Sequence, residues 1–286
     1  MTSSLLLGLI GDGISASRTP RMHETEGTAH SIPTIYRTID ISSPHLAEAG
    51  LEELLTAAIR LGYNGLNITH PFKQQVIGLL DDIDPVAARI GSVNTVVIDA
   101  HGRTTGYNTD VTGFAAGFRA GLTSAATEAV VQIGAGGAGR AVGFALAELG
   151  VGELIIADTD VQRAEGLAAD IVEVSAGGTR ARAIGLDELA GAAASAQGIV
   201  NATPVGMKAY PGTPVDTSVF GSDTWVADVV YFPLETQLLA EARAKGCRTL
   251  DGSGMAVNQA IDAFELFSGQ KAEPQRMRET FLSFGA

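Results

Sequence analysis

The stretch Val130-Val131-Gln132-Ile133-Gly134-Ala135-Gly136-Gly137-Ala138-Gly139-Arg140 decides how the rest of the chain is interpreted. An apolar run typical of a buried strand breaks into glycines, and helix-forming residues follow. Gly134, Gly136 and Gly139 have the G-x-G-x-x-G spacing, in which glycines allow a tight turn, the approach of a pyrophosphate and close packing of helix on strand. The spacing alone is a weak indication, because the chain has 35 glycines and glycine clusters also occur in flexible loops.

The residues on either side of the turn favour a dinucleotide site. A helix is predicted for residues 140–149 and a second strand for residues 153–157, so the turn lies within one complete strand–helix–strand unit. The N–H groups at the start of that helix would face the phosphates. We therefore predict a cofactor-binding turn formed by Gly134, Ala135, Gly136, Gly137, Ala138 and Gly139.

The composition is that of an ordinary globular protein. Hydrophobic residues make up 45% and charged residues 18% of the 286 residues, a length sufficient for two lobes. No apolar run approaches the roughly 20 residues that cross a bilayer, and the N-terminus lacks the basic segment of a signal peptide. The single cysteine, Cys247, excludes an internal disulfide and fits a reducing compartment, so we expect a cytoplasmic protein without membrane contact.

The charge and the histidine content limit the partners of the chain. A net charge of -13 argues against nucleic acid, which requires clustered lysine and arginine. The five histidines and one cysteine show no ligand spacing of the kind that zinc sites use, so no metal is expected. A small anionic ligand must therefore be held by local donors.

The alternation of predicted strands and helices indicates an α/β protein with two lobes. In the first lobe, strands are predicted at residues 5–10, 34–39, 65–68 and 93–98, and helices at 46–61 and 73–80. From residue 130 onward, alternating strands and helices imply a doubly wound, six-stranded parallel sheet of the Rossmann type. Two further helices, at 255–267 and 274–284, have no place in that sheet, and we expect them to pack on the first lobe. The predicted domains are thus 1–112 with 255–286, and 113–254.

Several polar motifs, in this order, carry a resemblance to a known family. They are Ser17-Arg18-Thr19-Pro20 with His23, Asn67-Ile68-Thr69-His70-Pro71-Phe72-Lys73, Gly91-Ser92-Val93-Asn94-Thr95, Gly106-Tyr107-Asn108-Thr109-Asp110, Asn201-Ala202-Thr203-Pro204, and Gly254-Met255 with Gln259. From Gly8 to about Phe267, the chain resembles the shikimate and quinate dehydrogenases. The resemblance implies that the first lobe and the terminal helices bind a cyclohexane polyol carboxylate, to which the glycine-rich lobe brings a nicotinamide.

By this resemblance, Lys73 and Asp110 are the catalytic acid–base pair. Hydride would leave a ring carbon while the hydroxyl proton passes to Lys73, which Asp110 orients. A carboxylate neighbour favours the ammonium form, so Lys73 suits ketone reduction near neutral pH, and alcohol oxidation should accelerate on the alkaline side. The placement of Lys73 at the predicted start of a helix, where the dipole disfavours a positive charge, also hints at a function. The residues alone leave other roles open, because Lys73 could be a solvated surface lysine and Asp110 an N-cap.

The resemblance also assigns the substrate contacts. Ser17 and Thr19 would direct two hydroxyls at the substrate carboxylate, although the same residues beside Pro20 could simply form a turn and cap a helix. The remaining polar contacts to the ring would come from Asn67, Thr69, Asn94, Gln259 and Tyr231. Asn94 could instead be a turn residue and Gln259 a solvated helix position. His70, where the family is expected to have an apolar residue, is interpreted as a packing or hydrogen-bonding residue.

Asp158 indicates which dinucleotide is bound. It lies 19 residues past Gly139, where a carboxylate accepts hydrogen bonds from the adenine ribose, so the predicted cofactor is NAD. NADP-using relatives typically have Asn-Arg-Thr where this chain has Ala157-Asp158-Thr159. Arg163 could in principle meet a 2′-phosphate, and Asp158 could instead cap the next helix. The cofactor contacts assigned beyond the turn are Asp158, Arg163, Thr203, Pro204, Gly254 and Met255.

Thr19 bears on the choice of substrate, because shikimate-specific members usually have serine there. By resemblance, threonine accompanies quinate use, which together with NAD favours a catabolic quinate/shikimate dehydrogenase. The alternatives are an NADP-dependent biosynthetic shikimate dehydrogenase, a non-catalytic dinucleotide-sensing regulator, and a dehydrogenase for another polyol or an amino-shikimate analogue. A monomer and a homo-oligomer are equally compatible with the sequence.

Overall fold

The computed structural model describes residues 4–175 and 177–284. The chain divides into two compact units. The first unit comprises the chain up to Thr109 together with the segment from Val257 onward, and the second unit is Asp110–Ala256. The sequence placed the boundaries at 112/113 and 254/255. Within the described residues, no helix has both the length and the apolar character to span a bilayer.

The elements alternate along most of the chain. The strands are β1 (Leu5–Gly11), β2 (Thr34–Asp40), β3 (Gly65–Ile68), β4 (Asp82–Ile83), β5 (Thr95–Ile98), β6 (Thr104–Tyr107), β7 (Ala129–Ile133), β8 (Glu153–Ala157), β9 (Arg180–Ile184), β10 (Gly198–Asn201), β11 (Trp225–Asp228) and β12 (Thr249–Leu250). The α-helices are α1 (Thr19–Ala29), α2 (Leu51–Arg60), α3 (Pro85–Ile90), α4 (Thr109–Gly121), α5 (Gly137–Glu148), α6 (Val161–Val174), α7 (Leu189–Ser195), α8 (Gln237–Ala244), α9 (Ser253–Ser268) and α10 (Pro274–Leu282).

The first unit is built on a mixed six-stranded sheet in the order β2-β1-β3-β5-β6-β4. Strand β1 is parallel to both β2 and β3, whereas β5 is antiparallel to β3 and β6. Alternate side chains of β1 enter two different cores, as the period of two requires. Leu5, Leu7 and Leu9 pack with Phe267 of α9, and Ile10 packs with the apolar face of α2. Helix α9 therefore covers one face of this sheet.

The second unit is a doubly wound sheet of six parallel strands in the order β12-β11-β10-β7-β8-β9. The chain reverses direction along the sheet between β9 and β10, which creates a switch point between the adjacent strands β7 and β10. Ligands of such sheets bind outside the carboxyl ends of the strands at that point. The glycine turn follows β7 there. The predicted α/β fold class, with a Rossmann-type dinucleotide lobe, is confirmed.

Several predicted elements differ from the observed ones. The helix predicted from residue 46 begins at Leu51, after Gly50, whose extended backbone (ψ 153°) interrupts it. The helix predicted at 73–80 is a turn at residues 71–74, followed by a 3₁₀ helix at Gln75–Leu79. Helix α1 was not predicted over its length, because its buried face carries His23, Glu26 and Gly27 beside Met22 and so shows little apolar periodicity.

The packing of α1 encloses two ionisable side chains. His23 is fully buried against Tyr36, Phe264 and Phe267, and neither ring nitrogen has a hydrogen-bond partner among the described residues. One turn later, the buried carboxylate of Glu26 accepts two hydrogen bonds from Arg276 of α10, at 2.7 and 2.9 Å. This bidentate pair ties the C-terminal helix to α1.

Candidate active site

The glycine turn connects β7 to α5 and requires glycine at two of its three motif positions. Gly134 has a left-handed φ of 102°, and a Cβ there would lie 2.8 Å from the carbonyl oxygen of Ala202. A Cβ on Gly139 would lie 2.2 Å from the carbonyl oxygen of Gly134. A Cβ on Gly136 would meet no atom within 4 Å, so this glycine borders open space at the start of α5. The backbone thus combines tight internal packing with an open side, which suits a pyrophosphate.

Asp158 follows β8 and is hydrogen-bonded to the glycine turn. Its Oδ2 accepts a hydrogen bond from the Ala135 N–H at 2.7 Å, and its Oδ1 accepts one from the Asp160 N–H at 2.9 Å. Among the described residues, Oδ2 accepts only that one bond, which leaves a lone pair for a ribose hydroxyl. Asp158 does not cap the next helix: the side chain of Asp160 caps α6 by accepting from the Arg163 N–H.

Arg163 already faces two carboxylates. Its guanidinium lies 3.7 Å from Oδ1 of Asp158 and 3.5 Å from Oδ2 of Asp160. A ribose 2′-phosphate placed beside Asp158 would lie near both carboxylates, and Arg163 would have to leave them to bind it. The local charge therefore favours a free ribose hydroxyl over a phosphate.

A buried network fixes the loops that follow β10 and β11. Asn201 accepts hydrogen bonds from the N–H and the hydroxyl of Thr203, at 3.0 and 2.7 Å, and donates to Asp228 at 2.9 Å. Asp228 also accepts from the Val230 N–H and from the Thr236 hydroxyl. Burial raises the pKa of Asp228 to about 6, although its three hydrogen bonds act in the opposite direction. Sequence reasoning singled out Thr203 but assigned no role to Asp228, whose contribution depends on contacts between strands.

In the first unit, the Ser17 and Thr69 loops follow the neighbouring parallel strands β1 and β3, at the same edge of the sheet. The Asp12 N–H donates to the carbonyl of His70 at 3.0 Å, which joins the two loops. Ser17 and Thr19 are half-buried, and the Ser17 hydroxyl oxygen accepts from the Thr19 N–H at 3.3 Å. The imidazole of His70 is exposed, which does not support the packing role expected for it.

The two asparagines of this unit are engaged to different degrees. Asn67 donates both amide hydrogens, to the Asn94 carbonyl at 3.3 Å and the Thr95 hydroxyl at 3.0 Å, and accepts from the Tyr36 hydroxyl at 2.8 Å. Asn67 thus has no N–H left for a ring hydroxyl and instead joins β2, β3 and β5. Asn94 donates to the Thr109 hydroxyl at 3.0 Å, so among the described residues one of its two amide hydrogens is available.

The remaining assigned residues lie on defined elements. Lys73 is half-buried in the turn before the 3₁₀ helix, and its carbonyl accepts from the Val93 N–H at 2.8 Å, so the helix-dipole argument does not apply to it. Asp110 is buried in the first turn of α4, which begins at Thr109, so Asp110 is not the N-cap. The other positions on α9 and in the loops after β10 and β11 are half-buried Gly254, Met255 and Gln259, exposed Pro204 and 40% exposed Tyr231.

No metal centre emerges from the described part of the chain, where no group of three or more histidine, cysteine, aspartate or glutamate residues could hold an ion. Cys247 is buried and free.

Comparisons with known proteins agree with this arrangement. Residues 9–96 match the family described as the shikimate dehydrogenase substrate binding domain, and residues 252–280 match the shikimate 5′-dehydrogenase C-terminal domain. A quinate/shikimate dehydrogenase (NAD(+)) of Corynebacterium glutamicum is 53% identical over 285 residues, which span 99% of this chain and 100% of that protein. A shikimate dehydrogenase (NADP(+)) of an Arthrobacter species is 49% identical over 286 residues, 99% of this chain and 96% of that protein.

A solved structure extends the similarity to three dimensions. The quinate dehydrogenase from Corynebacterium glutamicum in complex with NAD superposes with a TM-score of 0.92 at 52% identity, covering 98% of this chain and 99% of that one. The chain belongs to the shikimate/quinate dehydrogenase family.

Proposed function

We propose that the chain transfers a hydride between NAD and a ring hydroxyl of quinate or shikimate, giving 3-dehydroquinate or 3-dehydroshikimate. The observation that carries the choice of cofactor is the Asp158 carboxylate, which directly follows β8, holds the glycine turn and keeps an acceptor lone pair. The relatives named above include both NAD and NADP enzymes at similar identity. Overall similarity therefore separates the two cofactors poorly, and this local charge separates them better.

The residues of the second unit fit a bound dinucleotide. The open side of Gly136 and the N-terminal amides of α5 accommodate a pyrophosphate, and the Asp158 carboxylate accepts from the adenine ribose. Thr203, Pro204, Gly254 and Met255 are assigned to the remaining cofactor contacts by family resemblance. When bound, NAD supplies the hydride acceptor for alcohol oxidation.

The first unit is proposed to hold the substrate, a small polyol carboxylate. Ser17 and Thr19 donate hydroxyl hydrogens to its carboxylate, which suits a chain with a net charge of -13 because neutral donors replace scarce cations. Asn94 has an amide hydrogen for a ring hydroxyl, and Thr69, Gln259 and Tyr231 supply further polar contacts. Asn67 acts indirectly, by holding the strand that carries Thr69.

Lys73 and Asp110 are proposed as the acid–base pair. Lys73 accepts the proton of the reacting hydroxyl during oxidation and returns it during reduction, while Asp110 orients the ammonium group.

The overall function is tested by initial rates with quinate and shikimate, each with NAD and NADP. We expect turnover of both substrates with a higher kcat/KM for NAD. A clear preference for NADP would reject the argument from Asp158 and favour a biosynthetic shikimate dehydrogenase. Absence of turnover with all four combinations, in a chain that still binds NAD, would favour a sensor of dinucleotides.

The catalytic role of Lys73 is tested by Lys73→Ala. Removing the proton acceptor should lower kcat by about 10²-fold or more. The matched control is Lys271→Ala, because Lys271 is 90% exposed and pairs with Glu265 on the surface; it should leave kcat unchanged. Equal turnover of Lys73→Ala and the unmodified chain would contradict the role of Lys73 as proton acceptor.

Thr19 is proposed to tune the choice between the two substrates. Quinate carries an additional hydroxyl on the ring carbon that bears the carboxylate, so a change in the carboxylate anchor should affect quinate more. Thr19→Ser is expected to lower kcat/KM for quinate relative to shikimate. An unchanged ratio of the two values would count against this role.

A further inference from the structure

Gln132 is a polar residue in a central strand of the second unit. Strand β7 lies between β10 and β8, and the side chain of Gln132 is fully buried. Its neighbours Val131 and Ile133 enter the apolar core on the opposite face of the sheet. The amide of Gln132 instead lies beneath α5, where a Cβ built on Gly139 would be 3.3 Å from its Nε2 and one built on Gly143 would be 3.3 Å from its Oε1.

The amide nitrogen of Gln132 connects the two ends of the glycine turn. Nε2 donates one hydrogen bond to the carbonyl of Gly134 at 2.8 Å and another to the carbonyl of Gly139 at 2.7 Å. These are the first and last glycines of the motif, and both amide hydrogens are used. Gly139 already lies in the first turn of α5, so one side chain fixes the end of the strand relative to the start of the helix.

Packing within the sheet does not account for glutamine at this position, whereas the two hydrogen bonds to the glycine turn do. Its Oε1 is buried and has no hydrogen-bond partner among the described residues. A buried acceptor without a partner costs free energy, because the hydrogen bond it makes to water in the unfolded chain is lost. Methionine has a similar length and shape and would avoid that cost.

We propose that Gln132 is a positioning residue that holds the glycine turn in its cofactor-binding shape before NAD arrives. Glycines lose more conformational freedom on ordering than other residues, so a turn rich in them is costly to order. When the turn is already ordered, NAD binding does not have to order it, so the affinity for NAD is higher. The inference rests on the assignment of this turn to NAD.

The test compares the affinity for NAD with the stability of the fold. NAD is titrated calorimetrically, without substrate, into the full-length chain and into Gln132→Met and Val131→Ala. The control residue Val131 is adjacent and fully buried but faces the other core, so its truncation weakens the fold without touching the turn. We expect Gln132→Met to raise the Kd for NAD about tenfold, and Val131→Ala to leave it unchanged despite a lower urea midpoint.

The outcomes separate the inference from the cofactor assignment. An unmodified chain that does not bind NAD overturns both. An unmodified chain that binds NAD, with an unchanged Kd in Gln132→Met, overturns the inference alone. An equal loss of affinity in Val131→Ala also overturns it, because the effect would then follow from stability.

A measurement on the unmodified chain decides the matter even if Gln132→Met fails to fold. The side-chain amide hydrogens of Gln132 should resist exchange with solvent in the NAD-free protein, as nuclear magnetic resonance would detect, and NAD should change that protection little. Rapid exchange that slows only when NAD is added would show that the two hydrogen bonds of Gln132 form on binding, and would overturn the proposed preorganisation.

Discussion

Acidification should destabilise the first unit through His23. Burial lowers the pKa of His23 from its ordinary value of 6.5 to about 3, and the nearby Glu26 carboxylate offsets only part of that effect. The folded protein therefore keeps His23 neutral, whereas the unfolded chain binds a proton below pH 6.5. Because the unfolded state binds more protons in this range, stability is fully present above pH 6.5 and falls as the pH drops toward 3.

The size of the effect follows from the shift. One pKa unit corresponds to about 1.36 kcal/mol, so lowering the pKa of His23 from 6.5 to about 3 amounts to about 5 kcal/mol at its limit. Between pH 7 and pH 5, only the first part of this loss develops, about 2 kcal/mol. A loss of that size is a substantial part of the stability of an ordinary domain.

The assay is urea unfolding at pH 7 and pH 5, comparing the unmodified chain with His23→Phe. Phenylalanine suits a site lined by Tyr36, Phe264 and Phe267 and does not titrate. Far-UV circular dichroism follows both units, whereas fluorescence of Trp225, the only tryptophan in the chain, follows the second unit. The difference between the two proteins isolates His23, because all other groups titrate in both. If both proteins lose the same stability between pH 7 and pH 5, the reasoning is refuted.

Two further predictions concern the buried carboxylates of Asp228 and Glu26. The free energy of unfolding of the second unit should rise by about 1.4 kcal/mol when the pH falls from 7 to 5. Burial raises the pKa of Asp228 to about 6, so the folded form takes up a proton that the unfolded chain binds only near pH 3.8. The urea midpoint from Trp225 fluorescence should therefore rise, and Asp228→Asn should abolish that rise. Arg276→Ala should cost about 3 kcal/mol, since it leaves the Glu26 carboxylate buried without its cation. Arg276→Lys, which keeps the charge but not the bidentate geometry, should cost less in the same unfolding experiment; equal losses would indicate that packing rather than charge is responsible.

Local sequence patterns predicted the elements well where burial is apolar and periodic. The strands around the glycine turn follow directly from residue spacing, and the structure places them where expected. Prediction was poorer for α1, where a buried histidine, glutamate and glycine replace the usual apolar stripe. The prediction was also wrong around Lys73, because the pattern of apolar residues does not distinguish a 3₁₀ helix from an α-helix.

The sequence could not predict which polar side chains of the candidate site have hydrogen-bond groups left for a ligand. Asn67 and Asn94 are the same residue type in adjacent motifs. In the structure, Asn67 donates both of its amide hydrogens to protein acceptors, whereas Asn94 donates only one among the described residues. Gln132 reads as an ordinary position in an apolar run, and Asp228 as the end of a strand. Their partners lie on other elements, so their roles depend on how the chain folds.

By itself, the sequence determined the α/β class and predicted the dinucleotide turn and the carboxylate expected to favour NAD, because each depends on residue types at fixed local spacing. Only the tertiary structure decided which polar groups remain available to a ligand and which are consumed by the protein. Asp158 illustrates both: its position in the sequence predicted contact with a ribose, and the fold added a hydrogen bond to the glycine turn from a residue 23 positions away. Hydrogen bonds between distant segments form only when sheets and helices bring them together, and local spacing carries no record of them.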